Sequence, residues 1–301
     1  MTAENRYDTK CIIYRRGEMR IGSIGGRAWL VTADGTGVDI AEASGGRFAS
    51  APQALYDVWD EFRVWAAEIG IDRFAPVDPA SFELPVPRPR QVFAIGANYR
   101  AHAAEAGVAP PEQPVIFTKF PSCLAGPNDT VPIRHERVDW ETELVVVMGR
   151  EARNVTAAAA WDYVAGLAVG QDISERSIQR LGPMPQFSMA KSLPGFGPMG
   201  PLVVTADEFA NPDDLELGCA VNGVTMQSSR TSDFIFSVGE LVEYISHLMP
   251  MYPGDLIFTG TPEGVGATRK PPIFLKPGDV LTSWVEGVGT LVNPIIQEQA
   301  A

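Results

Sequence analysis

Glu141 and Glu143 stand at the entrance of an apolar run, Leu144-Val145-Val146-Val147-Met148, and Asp172 ends a second one, Gly166-Leu167-Ala168-Val169-Gly170-Gln171. Side chains alternate faces along a strand, so Glu141 and Glu143 point the same way, about 7 Å apart by the rise per residue. Two carboxylates leading into a buried strand repel each other and resist burial unless a cation lies between them. Together with Asp172 they make a hard, oxygen-rich set suited to Mg2+ or Mn2+, with octahedral positions left for water and a bidentate ligand. Spacing alone leaves a second reading open, in which the glutamates are solvated edge residues and Asp172 is a turn or cap residue.

The next pair with chemical potential is His102 and Glu105. Three residues apart on a helix they share a face, so the carboxylate can orient the imidazole and raise its basicity. The chain has only three histidines, which limits the candidates for a base working near neutral pH. His247 falls in the last turn of an amphipathic helical pattern, where a cation is favoured structurally, and His135 lies in the charged turn Arg134-His135-Glu136-Arg137. Pattern alone also allows His102 to be an ordinary exposed helix residue. Gly195, Gly197 and Gly200 spell GxGxxG, but Pro198 and Pro201 exclude the helix that would bind a pyrophosphate. The stretch Gly260-Thr261-Pro262-Glu263-Gly264-Val265-Gly266 lacks the lysine of a P-loop. Both stretches are expected to be tight turns with backbone N–H groups open to an anion.

The elements that must position these residues follow from periodicity. Residues 1–75 look like a small separate unit of short strands, including Cys11-Ile12-Ile13-Tyr14 and Arg27-Ala28-Trp29-Leu30-Val31, followed by one helix. That helix begins near Pro52 and carries Leu55, Val58, Trp59, Phe62, Trp65, Ala66 and Ile69 at helical spacing, an apolar stripe expected to be core. Five prolines between Pro76 and Pro89 mark residues 76–90 as an extended linker. From residue 91 to 301 the texture changes to apolar strands and Gly-Pro turns. Val92 to Gly96 reads as a strand, and Asn98 to Gly107 as a short helix without a large apolar face, a candidate mobile lid. Thr156 is expected to cap an alanine-rich helix. Ser237 and Glu240 spell a capping box for a helix carrying Leu241, Tyr244, Ile245 and Leu248. The remainder, residues 255–259, 279–285 and 289–295, reads as strands.

Composition bounds what the chain can bind. A net charge of −13 argues against a nucleic-acid partner, which needs a basic surface, and means that an anionic substrate needs a local positive centre. No run approaches the roughly 18 apolar residues of a membrane span. The segment Met1 to Lys10 mixes acids and bases without the pattern of a signal peptide. Cys11, Cys123 and Cys219 form neither a CxxC pair nor an even framework, as expected of reduced thiols in a cytoplasmic protein.

Taken together the chain resembles the fumarylacetoacetate hydrolase superfamily from about Val92 to Pro294. The resemblance rests on Gly96-Ala97-Asn98-Tyr99 with His102 and Glu105, Asp139-Trp140-Glu141-Thr142-Glu143-Leu144, and Gln171-Asp172-Ile173-Ser174-Glu175-Arg176. Lys191 with Gly200-Pro201, Asn222-Gly223, the Thr259 to Gly266 run and Pro277-Gly278-Asp279 extend it. It implies an α+β fold, a mixed β-roll catalytic domain after a smaller N-terminal α+β domain, and a homodimer. It implies one Mg2+ or Mn2+ ion on Glu141, Glu143 and Asp172, and water activation by His102 and Glu105 on a lid. Lys191 would neutralise developing charge, and Gln179 and Thr261 fall where the family contacts the substrate. The implied substrate is a small anionic 2-oxo acid, and the implied reaction is hydrolysis of a C–C bond in a 2,4-dioxo acid. Decarboxylation of an oxaloacetate-type acid and isomerisation of a hydroxymuconate-type diacid are alternatives on the same site, and a non-catalytic dimeric binding protein is a remote one. Two departures from the family pattern, Pro194 and Ala97, are expected to reshape the pocket.

Overall fold

The structure, a computed structural model, describes residues 19–298; the expected strand at Cys11 to Tyr14 lies outside them. Its fold is α+β. One sheet of eleven strands runs in the spatial order Ala75–Pro76, Thr36–Asp39, Arg27–Val31, Arg20–Ile24, Gly197–Val204, Val164–Gln171, Thr142–Met148, Leu256–Phe258, Val92–Gly96 and Val115–Thr118, with Leu124–Ala125 pairing to Gly197–Val204 from the side. A second sheet of five strands joins Val224–Arg230, Glu216–Val221, Val280–Val285, Gly289–Gln297 and Val131–Ile133.

Thr142–Met148 is buried at every residue because it lies inside the large sheet, between Val164–Gln171 and Leu256–Phe258, with both faces covered. Its β-branched run suits that position, since a strand packed on both faces shows no polar alternation. One face of the sheet packs with Val238–Leu248 through Leu144, Val146, Leu241 and Ile245. The other packs Val145 and Val147 against Ile21, Leu30, Leu55, Trp59 and Phe62.

The N-terminal strands therefore share sheet and core with the later residues. Arg20 pairs with Val204 and Ile21 with Val203, an antiparallel junction between the two parts of the chain. The helix begun by Pro52 forms, but as two segments, Pro52–Asp57 and Trp59–Ala66, broken at Val58, which has left helical geometry. Trp59 and Phe62 are buried as expected of a core stripe. The capping box is present in full, with Ser237 Oγ accepting from the Glu240 amide and the Glu240 carboxylate accepting from the Ser237 amide. The alanine-rich helix is a correction. Ala157–Tyr163 is a 3-10 helix, and the Thr156 side chain does not cap it. The GxGxxG stretch continues as the strand Gly197–Val204, so no helix follows it.

Candidate metal centre

Glu141 precedes Thr142–Met148, and its backbone is fixed from the neighbouring strand. Its N–H donates to Gln171 Oε1 at 2.9 Å, and its carbonyl accepts from the Asp172 N–H at 2.9 Å. Gln171, fully buried, also donates to Thr142 Oγ1 and Ser283 Oγ. Gln227 repeats the device by accepting from the Thr142 N–H and donating to Thr261 Oγ1. Two buried amide side chains thus set the ends of two strands side by side, and both carboxyl-bearing ends point into one space. Carboxylate oxygens of Glu141, Glu143 and Asp172 lie within 4.8 Å of one another, and all three residues are buried.

The electrostatics show why this cluster suits a cation. Lys191 Nζ stands 2.6 Å from Glu141 Oε2 and 2.7 Å from Asp172 Oδ2. Lys119, with no exposed side-chain surface, places Nζ 2.6 Å from Asp172 Oδ1 and also donates to the carbonyls of Lys191 and Phe196. Arg176 bridges Asp139 Oδ1 at 2.6 Å and Glu141 Oε1 at 2.7 Å. Burial alone would raise the Glu141 carboxyl, but Lys191 and Arg176 outweigh it and hold it at about 2. Glu143 has no such partner. Burial, then the Asp172 and Glu141 charges, push its carboxyl well above the ordinary range, and the Lys191 charge and the Gly260 N–H, 2.8 Å from Oε2, only partly oppose them. Burial would lower the Lys191 ammonium, yet Asp172 and Glu141 raise it overall, so it stays charged. When all are ionised, four carboxylates (Asp139, Glu141, Glu143, Asp172) face three cations, and the uncompensated charge sits at Glu143. A hard divalent ion fits that deficit and that donor set.

His102 and Glu105 lie on the short helix Arg100–Glu105, whose Ala103 is buried although the helix lacks a broad apolar face. Polar contacts hold it instead. Asp233 Oδ2 accepts from the Ala101 N–H, and the fully buried Asn98 ties the preceding turn to Phe236 and Thr259. His102 Nδ1 is 3.2 Å from Glu105 Oε2, with side chains 16% and 25% exposed. A carboxylate only accepts, so Glu105 selects the tautomer with hydrogen on Nδ1 and leaves the Nε2 lone pair free. Glu105 also accepts from the Gly264 N–H at 3.0 and 3.2 Å. Gly264 (φ +96°) adopts a left-handed conformation that its loop needs to present this amide.

His102, Glu141, Arg176, Gln179, Lys191 and Thr261 all line one cavity of about 430 Å3. The candidates at Glu143 and Asp172 sit at its base, beside Glu141. Gln179 Oε1 accepts from Arg176 at 3.0 Å. The Thr261 hydroxyl donates to the Thr142 carbonyl and accepts from Gln227, so it serves the scaffold as well as the cavity wall. Of the two departures, Ala97 lines the cavity with a left-handed φ of +50°, whereas Pro194 is exposed outside it. A larger hollow of about 590 Å3 beside His135 holds none of the cluster. His247 is exposed, with Nδ1 2.7 Å from the Glu243 carbonyl. Lys119, Asp139 and Arg176 are buried charged side chains of the cluster to which the residue patterns assigned no role. Arg176, four residues after Asp172 beside a strand end, was the most discoverable, because buried acids need buried cations.

Comparison with known proteins agrees with this geometry. Residues 91–296 match the family model "Fumarylacetoacetate (FAA) hydrolase C-terminal". Mitochondrial oxaloacetate tautomerase FAHD2A of Bos taurus is 41% identical over 223 residues, covering 73% of this chain and 71% of the relative. The crystal structure of a candidate HpcE protein from Mycobacterium smegmatis superposes with a TM-score of 0.88 at 51% identity, covering 93% of this chain and 100% of that one. Maleylpyruvate hydrolase from Sphingobium sp. SYK-6, in complex with manganese(II) and pyruvate, has a TM-score of 0.78 at 29% identity, covering 93% and 100%. With more than half of its length matched, and with the carboxylate cluster and histidine gathered in one cavity, the chain belongs to the fumarylacetoacetate hydrolase family of enzymes.

Proposed function

We propose that this protein is a divalent-metal-dependent enzyme that interconverts the keto and enol forms of a small 2-oxo acid by moving a proton at C3. The observation that carries the reading is a single cavity with clustered carboxylates at its base and, on its wall, one imidazole oriented by a carboxylate. The identity to oxaloacetate tautomerases supports tautomerisation as the reaction.

Glu141, Glu143 and Asp172 would hold Mg2+ or Mn2+. The ion, when bound, supplies Lewis acidity toward the substrate's carboxylate and 2-oxo oxygens. His102 Nε2 accepts the proton from C3, and Glu105 stabilises the resulting imidazolium. The imidazolium then returns the proton to C3, or gives it up as the 2-oxo oxygen becomes the enol hydroxyl. Lys191, kept protonated by Glu141 and Asp172, faces the charge developing on that oxygen. Gln179 and Thr261 would orient the bound acid. In this reading residues 91–301 are the catalytic part and carry every one of these side chains, residues 76–90 are a connector, and residues 1–75 are a small N-terminal unit, of which the described strands from Arg20 onward extend the large sheet. The reading includes a homodimer, checked by sedimentation, and a cytoplasmic location that suits the two buried free thiols Cys123 and Cys219.

A second reading, favoured by the likeness to maleylpyruvate hydrolase, has His102 activate water to cleave the C3–C4 bond of a 2,4-dioxo acid. One panel separates the two. Oxaloacetate, an acylpyruvate and a hydroxymuconate-type diacid are each given with Mn2+ or Mg2+, with and without chelator. Decay of the enol absorbance without pyruvate or carbon dioxide marks tautomerisation, pyruvate with a carboxylic acid marks hydrolysis, and carbon dioxide marks decarboxylation. No metal-dependent change on any of the three compounds would remove the reading altogether.

A further inference from the structure

The cavity is lined by four basic side chains, and three are already engaged. Arg176 reaches Asp139, Glu141 and Gln179 with its three nitrogens. Lys191 lies between Glu141 and Asp172, and His102 is paired with Glu105. The fourth, Arg180, is exposed at the edge of the same cavity and has no ion-pair or hydrogen-bond partner for its guanidinium among the described residues. It follows the helix Arg176–Gln179 as its C-cap, four residues after Arg176, so both guanidinium groups lie on one side of that turn. The loop after it is closed at its base by the Gln186 N–H donating to the Gln179 carbonyl at 2.9 Å. Pro185 and Phe187 on the return arm, with Val108 and Val115, make the surrounding wall apolar.

An exposed guanidinium at a cavity mouth framed by apolar side chains is a forked donor open to a ligand, and the group that matches it is a carboxylate. We propose that Arg180 binds a second carboxylate, at the substrate end remote from the 2-oxo group, so that the site selects 2-oxo dicarboxylates over monocarboxylates. This assignment rests on the 2-oxo acid reading given above. It also answers a problem of charge. A dianion approaching a chain of net charge −13 gains from a cation placed at its trailing end.

The test is a matched pair of ligands measured by titration calorimetry on the full chain with Mn2+. They are 3,3-difluorooxaloacetate, which cannot enolise, and its 4-methyl ester, which lacks only the distal charge. Wild type is expected to bind the diacid about tenfold or more tightly than the ester, the size of one partly solvated charge-assisted pair. Arg180→Gln should bring that ratio close to one, and Arg180→Lys should keep part of it. The same ratios should appear in KM for oxaloacetate against its 4-methyl ester. A preference for the diacid that survives unchanged in Arg180→Gln overturns the assignment, as does a wild type without any preference. Failure of both ligands to bind wild type would instead overturn the 2-oxo acid reading, and this inference with it.

Discussion

At the scale of single residues, the proposed function divides the site into a group that moves a proton and groups that hold charge in place. His102 is assigned to the first. His102→Ala should lower kcat by roughly 10²- to 10⁴-fold, the usual cost of losing a general base, while Mn2+ affinity measured by calorimetry stays unchanged. Activity within about threefold of wild type would take the imidazole out of the mechanism. Lys119 belongs to the second. Replacing it by Met leaves Asp172 buried without one of its cations, and removing one partner of a buried pair costs about 3–5 kcal/mol, readable by urea denaturation. Glu143 links charge to pH. Its carboxyl is raised in the fold, so between its unfolded and folded values the native state binds more protons, and metal-free stability falls as pH rises through that window. Mn2+ must displace that proton, so its affinity should rise with pH over the same window. Glu143→Gln should flatten the stability slope and abolish stabilisation by Mn2+; a Tm that still rises with Mn2+ in this variant would exclude Glu143 as a ligand. The acids were legible in the sequence because two glutamates at strand spacing before an apolar run are conspicuous. Lys119 was not, since one lysine after the strand Val115–Thr118 looks like any solvated strand end until the chain folds around it.

At the scale of elements, the turns do as much as the strands. Gly260 adopts φ +98° and donates its N–H to Glu143, and a Cβ built there would lie 2.7 Å from the Asn98 Cβ. Gly260→Ala should therefore lose at least about 1–3 kcal/mol from backbone conformation alone, checked by equilibrium unfolding, and should weaken Mn2+ binding because the amide that steadies Glu143 moves. The capping box at Ser237 was readable because its two partners are three residues apart and interact locally. The 3-10 geometry of Ala157–Tyr163 was not. Alanine favours an α-helix by propensity, but this segment is fixed by its neighbours, with the backbone of Ala157 pressed close to Gly239 of the long helix. The break at Val58 has the same character, since periodicity runs smoothly through it and only the packed structure interrupts it.

At the scale of the whole molecule, the division of the sequence at residues 75 and 91 marks where the site residues begin, while the sheet runs on across it. Leu30, fully buried, packs in the same cluster as Val145, Val147 and Phe258. Leu30→Ala should cost about 2–5 kcal/mol and shift one cooperative transition. Two separate transitions in calorimetry would instead show that the N-terminal unit melts by itself. This continuity was hidden from sequence reading because the pairing of Arg20 with Val204 joins residues far apart along the chain, and neither strand names its partner. The contact of Glu105 with Gly264 joins distant parts of the sequence in a similar way, and it bears on how the helix Arg100–Glu105 is seated. One carboxylate fastens the helix that carries His102 to a distant loop and also sets the tautomer of that imidazole. The placement of the helix against the cavity and the orientation of the imidazole therefore share one carboxylate. Because His102 and Glu105 share that helix, the pair travels as one, and the bond from Gly264 is the contact that any displacement of the helix would break first.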